Sequence, residues 1–135
     1  MSCHTVCVDF ELGPFFDRYA ERYMESDAET VADMCEIPFL ALRSGEAFHL
    51  PDREAVVAHF AVNMLAYQSA GADRADIVDI EVQEQGTEAV LATVHWHVRA
   101  ADGTMIRDFR TSYQLVAADP WRILSYVNHD VVTRE

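Results

Sequence analysis

Two histidines and an aspartate have the spacing of a possible metal site. His95 and His97 are separated by one residue, so on a β-strand they point to the same side. If Asp102-Gly103 is a two-residue turn, Asp108 lies directly across from His97, and such a set can hold zinc or iron. Arg110 would then lie opposite His95 and add positive charge at the metal position. We therefore favour a polar outer surface and expect no metal and no other cofactor.

Three other polar residues could act within a binding pocket. An imidazole near neutral pH suits proton transfer, and the predicted register places His129 beside Phe109 on the inner face of the sheet. The alternative is a histidine at the rim. On the long helix, His59 and Asn63 lie one turn apart within an apolar stripe, where polar groups need hydrogen-bond partners. They either contact a ligand or lie at the edge of the stripe.

Composition excludes several classes of function. All 10 basic residues are arginine, so neither a Schiff-base lysine nor a phosphate-loop lysine is present. The net charge of −13 disfavours nucleic acids and anionic membrane surfaces. The 3 cysteines are too few and too scattered for a disulfide framework. Because the first residues also lack the features of a signal peptide, we expect a cytoplasmic protein.

The sequence pattern predicts about three helices and a short hairpin in the first half of the chain. Apolar spacing predicts a helix over about 14–25, with Pro14 in its first turn. Asp27 is expected to cap a short helix over about 29–34, and Asp52 a long helix over about 53–69. Between these two helices, Ser44-Gly45 predicts the turn of a hairpin formed by Phe39–Arg43 and Ala47–Leu50.

The second half predicts four strands, at about 76–84, 88–100, 104–117 and 121–130. Turns are expected at Gln85-Gly86, Asp102-Gly103 and Asp119-Pro120. This order indicates a single α+β domain over 10–130, with a flexible tail at 1–9 and another at 131–135.

Alternation along the strands predicts which side chains share a face. The inner face should meet the helices and is expected to carry Val78, Ile80, Val82, Ala92, Val94, Trp96, Phe109, Thr111, Tyr113, Ser125, Val127 and His129. The outer face should carry His95, His97, Arg99, Asp108, Arg110, Gln114, Tyr126 and Asn128. We expect a homodimer through this outer face, with His95, His97, Arg110 and Tyr126 in contact.

Several short motifs occur in a recognisable order. They are Phe16-Asp17-Arg18-Tyr19 with Ser26-Asp27, then Pro51-Asp52-Arg53-Glu54-Ala55-Val56, and finally Asp102-Gly103 with Trp121-Arg122-Ile123-Leu124-Ser125-Tyr126. Over about 10–130 the chain resembles the nuclear-transport-factor-2-like superfamily, especially its SnoaL-like branch of polyketide cyclases and relatives of ketosteroid isomerase. The resemblance implies a cone-shaped, curved antiparallel sheet packed on about three N-terminal helices, with an internal pocket.

The resemblance also implies roles for individual residues. Arg18-Tyr19 matches the position of the isomerase tyrosine that donates to the enolate oxygen. Thr111 falls where the isomerase has its second, carboxylic acid donor, and Glu36 is the nearest carboxylate to its general base. His129-Asp130 is similar to the acid and base of SnoaL-type cyclases, although adjacent strand residues point to opposite faces. One of the three isomerase positions therefore matches.

We expect binding of a small, largely apolar, cyclic or aromatic molecule in the cone. The alternatives are an isomerase, cyclase or dehydratase that transfers a proton next to a carbonyl, and a non-catalytic dimeric assembly module. Catalysis would use Tyr19 to hold the oxyanion and His129 to move the proton. The expected ligand contacts are Tyr23, His59, Asn63, Met64, Trp96, Phe109, Thr111, Tyr113 and Ser125.

Overall fold

Three helices cover one face of a single six-stranded sheet. The structure, a computed structural model, describes the backbone of residues 2–118 and 121–130, and the side chains of 12–118 and 121–129. The elements follow in the order α1 (Ser2–Met24), α2 (Ala28–Asp33), β1 (Cys35–Arg43), β2 (Glu46–Leu50), α3 (Arg53–Ser69), β3 (Ala72–Gln85), β4 (Ala89–Ala100), β5 (Met105–Val116) and β6 (Arg122–Asp130). The α+β prediction is confirmed.

The first helix is longer than the sequence pattern predicts. It begins at Ser2, so Pro14 lies inside the helix and not in its first turn, and most of the segment predicted as a tail is helical. The predicted cap at Asp27 is confirmed, because its carboxylate accepts from the backbone N–H of Thr30 at 3.1 Å. At α3, Asp52 likewise accepts from the N–H of Ala55 at 2.9 Å.

The sheet has the strand order β2-β1-β6-β5-β4-β3. Four of the neighbouring pairs are antiparallel, but β1 runs parallel to β6, so the sheet is mixed. The prediction of a wholly antiparallel sheet is therefore wrong. The predicted hairpin around Ser44-Gly45 therefore extends the main sheet. Ser44 and Gly45 both have positive φ angles, of 54° and 78°, which is the conformation this tight turn requires.

The predicted register between β4 and β5 is confirmed, with Trp96 opposite Phe109 and Tyr113 opposite Ala92. In β3, which pairs with β4, a bulge changes which side chains face the core. Ile77, and not Val78, lies opposite Trp96, and Val78 is 48% exposed. Beyond the bulge, Ile80 and Val82 face the core as predicted, opposite Val94 and Ala92.

A second bulge reverses the predicted faces of β6. Leu115 pairs with Ile123, whereas Gln114 pairs with Ser125, so Leu124 is an extra residue in the ladder. From Ser125 onward every side chain therefore points opposite to its predicted direction. Two partners change as a result: Tyr126 lies opposite Tyr113, and Asn128 lies opposite Thr111. The turn predicted at Asp119-Pro120 lies outside the described residues.

The core forms where α1 and α3 cover the inner face of the sheet. Its largest fully buried side chains are Phe16, Phe39, Phe60, Leu12, Met64, Leu115 and Ile123. No helix in the described ranges is long and apolar enough to cross a membrane.

Candidate functional site: a pocket lined by tyrosines

A pocket opens between α1 and the inner face of the sheet. The empty space between the lining side chains is about 490 Å³, a figure that includes open solvent at the mouth, so the enclosed part is much smaller. The wall combines the rings of several tyrosines, a tryptophan and a phenylalanine with a few polar groups. The lining residues are Tyr19, Ala20, Tyr23, Met24, Arg43, Tyr67, Ala75, Trp96, Val98, Phe109, Thr111, Tyr113, Tyr126 and Asn128.

Buried phenols form one side of the pocket. The hydroxyl of Tyr113 accepts a hydrogen bond from the indole N–H of Trp96 at 3.1 Å and is hydrogen-bonded to Tyr19. The rings of Tyr19 and Trp96 stack with centroids 6.2 Å apart. Burial raises the pKa of both Tyr19 and Tyr113 well above the ordinary value, so these phenols stay protonated. One of the two O–H protons is used in the bond between Tyr19 and Tyr113, so the pair has one left to donate to a ligand oxygen.

Two neutral polar groups lie on the sheet side of the pocket. The Thr111 hydroxyl donates to the Oδ1 atom of Asn128 at 2.7 Å. This bond fixes the Asn128 amide, and its NH₂ group has no hydrogen-bond partner among the residues whose side chains are described, so it is a further donor toward the pocket.

A directional chain of hydrogen bonds connects the pocket wall to α3. The Nη1 atom of Arg43 donates to Oδ1 of Asn63 at 2.5 Å. The Nδ2 atom of Asn63 in turn donates to the Tyr126 hydroxyl oxygen at 3.4 Å. The Tyr126 hydroxyl lies only 2.6 Å from Nε2 of His59. Desolvation, aided by the charge of Arg43, lowers the pKa of His59, so the ring is neutral at pH 7. In the tautomer that carries its proton on Nδ1, the Nε2 atom accepts a hydrogen bond from the Tyr126 hydroxyl. Burial raises the pKa of Tyr126 to about 12.

The structure brings most of the predicted ligand contacts together. Five of the nine predicted ligand contacts line the pocket, together with Tyr19, which was predicted to hold the oxyanion; the five are Tyr23, Trp96, Phe109, Thr111 and Tyr113. His59 and Asn63 contact the pocket only through Tyr126 and Arg43, and Met64 is buried in the core behind it.

The predicted inward positions of Ser125 and His129 are wrong. The bulge in β6 places both on the outer face, where His129 is exposed and its Nε2 atom lies 3.1 Å from the Ser112 hydroxyl. His129 therefore does not reach the pocket. The predicted outer position of Tyr126 is wrong for the same reason, since Tyr126 is buried on the inner face.

Sequence reasoning missed Arg43, Tyr126 and Asn128. The signal for Arg43 was present, because Phe39, Ala41 and Arg43 alternate along one strand and the first two are buried. The other two residues follow only from the bulge at Leu124, which nothing in the local sequence indicates.

His95, His97 and Asp108 form a cluster on the outer face, and their ligand atoms all lie within 4.8 Å of one another, close enough to hold one metal ion. His95 lies 2.6 Å from Asp108 and His97 lies 3.5 Å from the same carboxylate oxygen, Oδ1. Hydrogen bonding from His95 and the nearby imidazoles lower the pKa of Asp108. Arg99 lies 3.3 Å from Nδ1 of His97, which places the ring proton on Nε2 in the neutral form. A metal at Nε2 would have to displace that proton, so this geometry favours hydrogen bonding.

The chain matches one family profile and shares its fold with several solved structures. The profile of a family described as NTF2-like protein (DUF6841) matches residues 11–131. No curated protein sequence matches the chain at a significant level.

Solved structures share the fold at low sequence identity. An NTF2-like protein with a cystatin-like fold from Novosphingobium aromaticivorans has a TM-score of 0.73 at 18% identity, covering 96% of this chain and 86% of that chain. Aln2 from a Streptomyces species has a TM-score of 0.73 at 18% identity, with coverage of 91% and 90%. A protein from Catenulispora acidiphila in complex with S-DNPA has a TM-score of 0.70 at 18% identity, with coverage of 91% and 94%. Identities at this level show similarity of fold alone.

Proposed function

We propose that this chain, which belongs to the NTF2-like protein family DUF6841, binds a small, largely apolar molecule with an aromatic or cyclic body in its pocket. The observation that carries the proposal is the character of the wall: aromatic rings surround the free volume, and only a few polar groups point into it. Specific small-molecule sites have this composition, in which apolar surface supplies affinity and a few polar groups set orientation. The similar Catenulispora protein, solved with S-DNPA, supports the use of this fold to hold a small molecule.

The first experiment is a thermal-shift titration with neutral planar probes such as 2-naphthol and 1-tetralone. A probe present at 100 times its dissociation constant stabilises the folded state by about 2.7 kcal/mol, which raises Tm by several degrees. We expect Val98→Phe to abolish the shift, because Val98 lines the pocket and a larger ring there occupies the ligand's space.

Val127→Phe is the matched control. Val127 is 38% exposed on the outer face of β6, so the same substitution there leaves the pocket unchanged and the shift intact. Circular dichroism of both variants verifies that they are folded. A folded Val98→Phe protein that keeps the full shift would place the probes elsewhere and contradict the proposal.

A proton-transfer enzyme is the second candidate, and the 2.6 Å contact between Tyr126 and His59 favours it. Tyr126 would take a proton from a ligand carbon next to a carbonyl while passing its own proton to the neutral His59. This pair takes the role predicted for His129, which lies on the other face. The test follows the α-protons of 1-tetralone by NMR in D₂O with and without the protein. Exchange at the rate of buffer alone would exclude this candidate and leave the binding proposal standing.

A further inference from the structure

The pocket contains one full charge. Arg43 is the only cationic side chain among the lining residues of the described chain, and no acidic side chain lines the pocket. This composition contrasts with that of the whole sequence, which has 23 acidic residues against 10 basic ones. In a chain with this balance, an arginine inside an aromatic pocket is a selective feature. A second cation, Arg107, lies beside the pocket, where it donates to the Tyr67 hydroxyl at 2.9 Å and sits over the Phe109 ring.

The guanidinium of Arg43 has little of its hydrogen-bonding capacity in use. Its one hydrogen bond to the described residues is the 2.5 Å contact from Nη1 to the neutral amide oxygen of Asn63. Across 12–118 and 121–129 it forms no ion pair, although Glu46 lies opposite it across the Ser44-Gly45 turn. Because a guanidinium carries five N–H donors, several remain for a bound group.

The bond to Asn63 also holds the guanidinium in place. Asn63 is 5% exposed and anchored on α3, so the Arg43 side chain does not need to be ordered when a ligand arrives. Pre-ordering of this kind lowers the entropy cost of binding. Arg43, Tyr23 and Tyr126 all line the same pocket, and the charge of Arg43 counteracts the rise in pKa of both tyrosines.

We propose that the ligand is an aromatic or cyclic carboxylic acid whose carboxylate pairs with Arg43 while its ring lies among Tyr19, Tyr23 and Trp96. A single planar guanidinium matches a carboxylate of one negative charge, and the two can form parallel hydrogen bonds. Tyr23, which is buried, protonated and reached by the charge of Arg43, supplies a further donor in the same pocket. This inference rests on the proposed function and specifies its ligand class.

The test compares 2-naphthoate with 2-naphthamide by calorimetric titration. The two probes have the same ring and nearly the same shape, but only the first is charged. Only the carboxylate can form charge-assisted hydrogen bonds with the guanidinium, so we expect naphthoate to bind at least about tenfold more tightly to the unmodified protein. Arg43→Met should remove that preference while naphthamide binding persists.

Arg110→Met is the matched control, because it removes one arginine from the strand face opposite to the pocket. It should keep the preference for naphthoate, whereas a preference lost in both variants would indicate a general charge effect and overturn the assignment to Arg43. Equal affinity of the unmodified protein for both probes would also contradict the inference, whether or not Arg43→Met folds. In that case the pocket would be confirmed without a carboxylate subsite. Failure of both naphthalene probes and of the neutral panel would instead contradict the proposed function itself.

Discussion

Phe16→Ala should lower the free energy of unfolding by about 3–5 kcal/mol, the usual loss for a large aromatic side chain in a core. Phe16 is fully buried. Its ring lies 4.7 Å from that of Tyr113 and 6.4 Å from that of Trp96, measured between centroids, so it connects α1 to the strands that form the pocket wall. Domains of this size have about 5–15 kcal/mol of stability in total, and the loss is therefore a large part of it.

Phe15→Ala is the matched control for this prediction, because the adjacent phenylalanine is only partly buried. Urea unfolding followed by circular dichroism gives both free energies on the same scale. We expect the Phe15 substitution to cost clearly less. Equal losses at the two positions would mean that Phe16 does not hold α1 on the sheet as the structure indicates. The Phe16 variant should also bind the planar probes more weakly, since Tyr19 and Trp96 lose their common support.

The helices and the pairing of the central strands were predictable because local chemistry specifies them. Asp27 and Asp52 precede apolar periodic segments, and both cap helices as predicted. The Asp102-Gly103 turn sets the register of β4 against β5, which placed Trp96 opposite Phe109 correctly. The resemblance to the nuclear-transport-factor-2-like superfamily is confirmed by the family profile and by the shared fold of solved structures.

The candidate site was less predictable, because one extra residue decides the face of a whole strand segment. Side chains alternate with a period of two, so the bulge at Leu124 exchanges Ser125 and His129 for Tyr126 and Asn128. Leu124 is an ordinary strand residue, and no glycine or proline marks the bulge. The parallel pairing of β1 with β6 was equally unpredictable from local sequence, because it joins segments that are far apart in the chain. Alternation along β1 indicates the face on which Arg43 lies, but its contact with the pocket follows from this tertiary pairing.

We expect Asn63→Ala to have the second largest effect on stability, a loss of about 1–3 kcal/mol. Asn63 is the central member of the chain from Arg43 to Tyr126 and is buried, so its removal leaves a charged donor without its acceptor. Asn63→Asp is the informative companion, because a carboxylate would still accept from Arg43. It should cost less than the alanine substitution, although the bond from Nδ2 to Tyr126 is lost.

A double-mutant cycle between Asn63→Ala and Arg43→Met isolates the connection between these two side chains. Each substitution alone breaks the 2.5 Å bond by removing one of its two partners. In the double mutant the bond is already broken by the first substitution, so the second removes a group that has no partner left to lose. The two losses should therefore not add, and the coupling energy should be about 0.5–3 kcal/mol. Chemical unfolding of the four proteins measures it. Additive losses would show that Asn63 does not hold Arg43, and the pre-ordered guanidinium on which the proposed carboxylate binding depends would then lack its support.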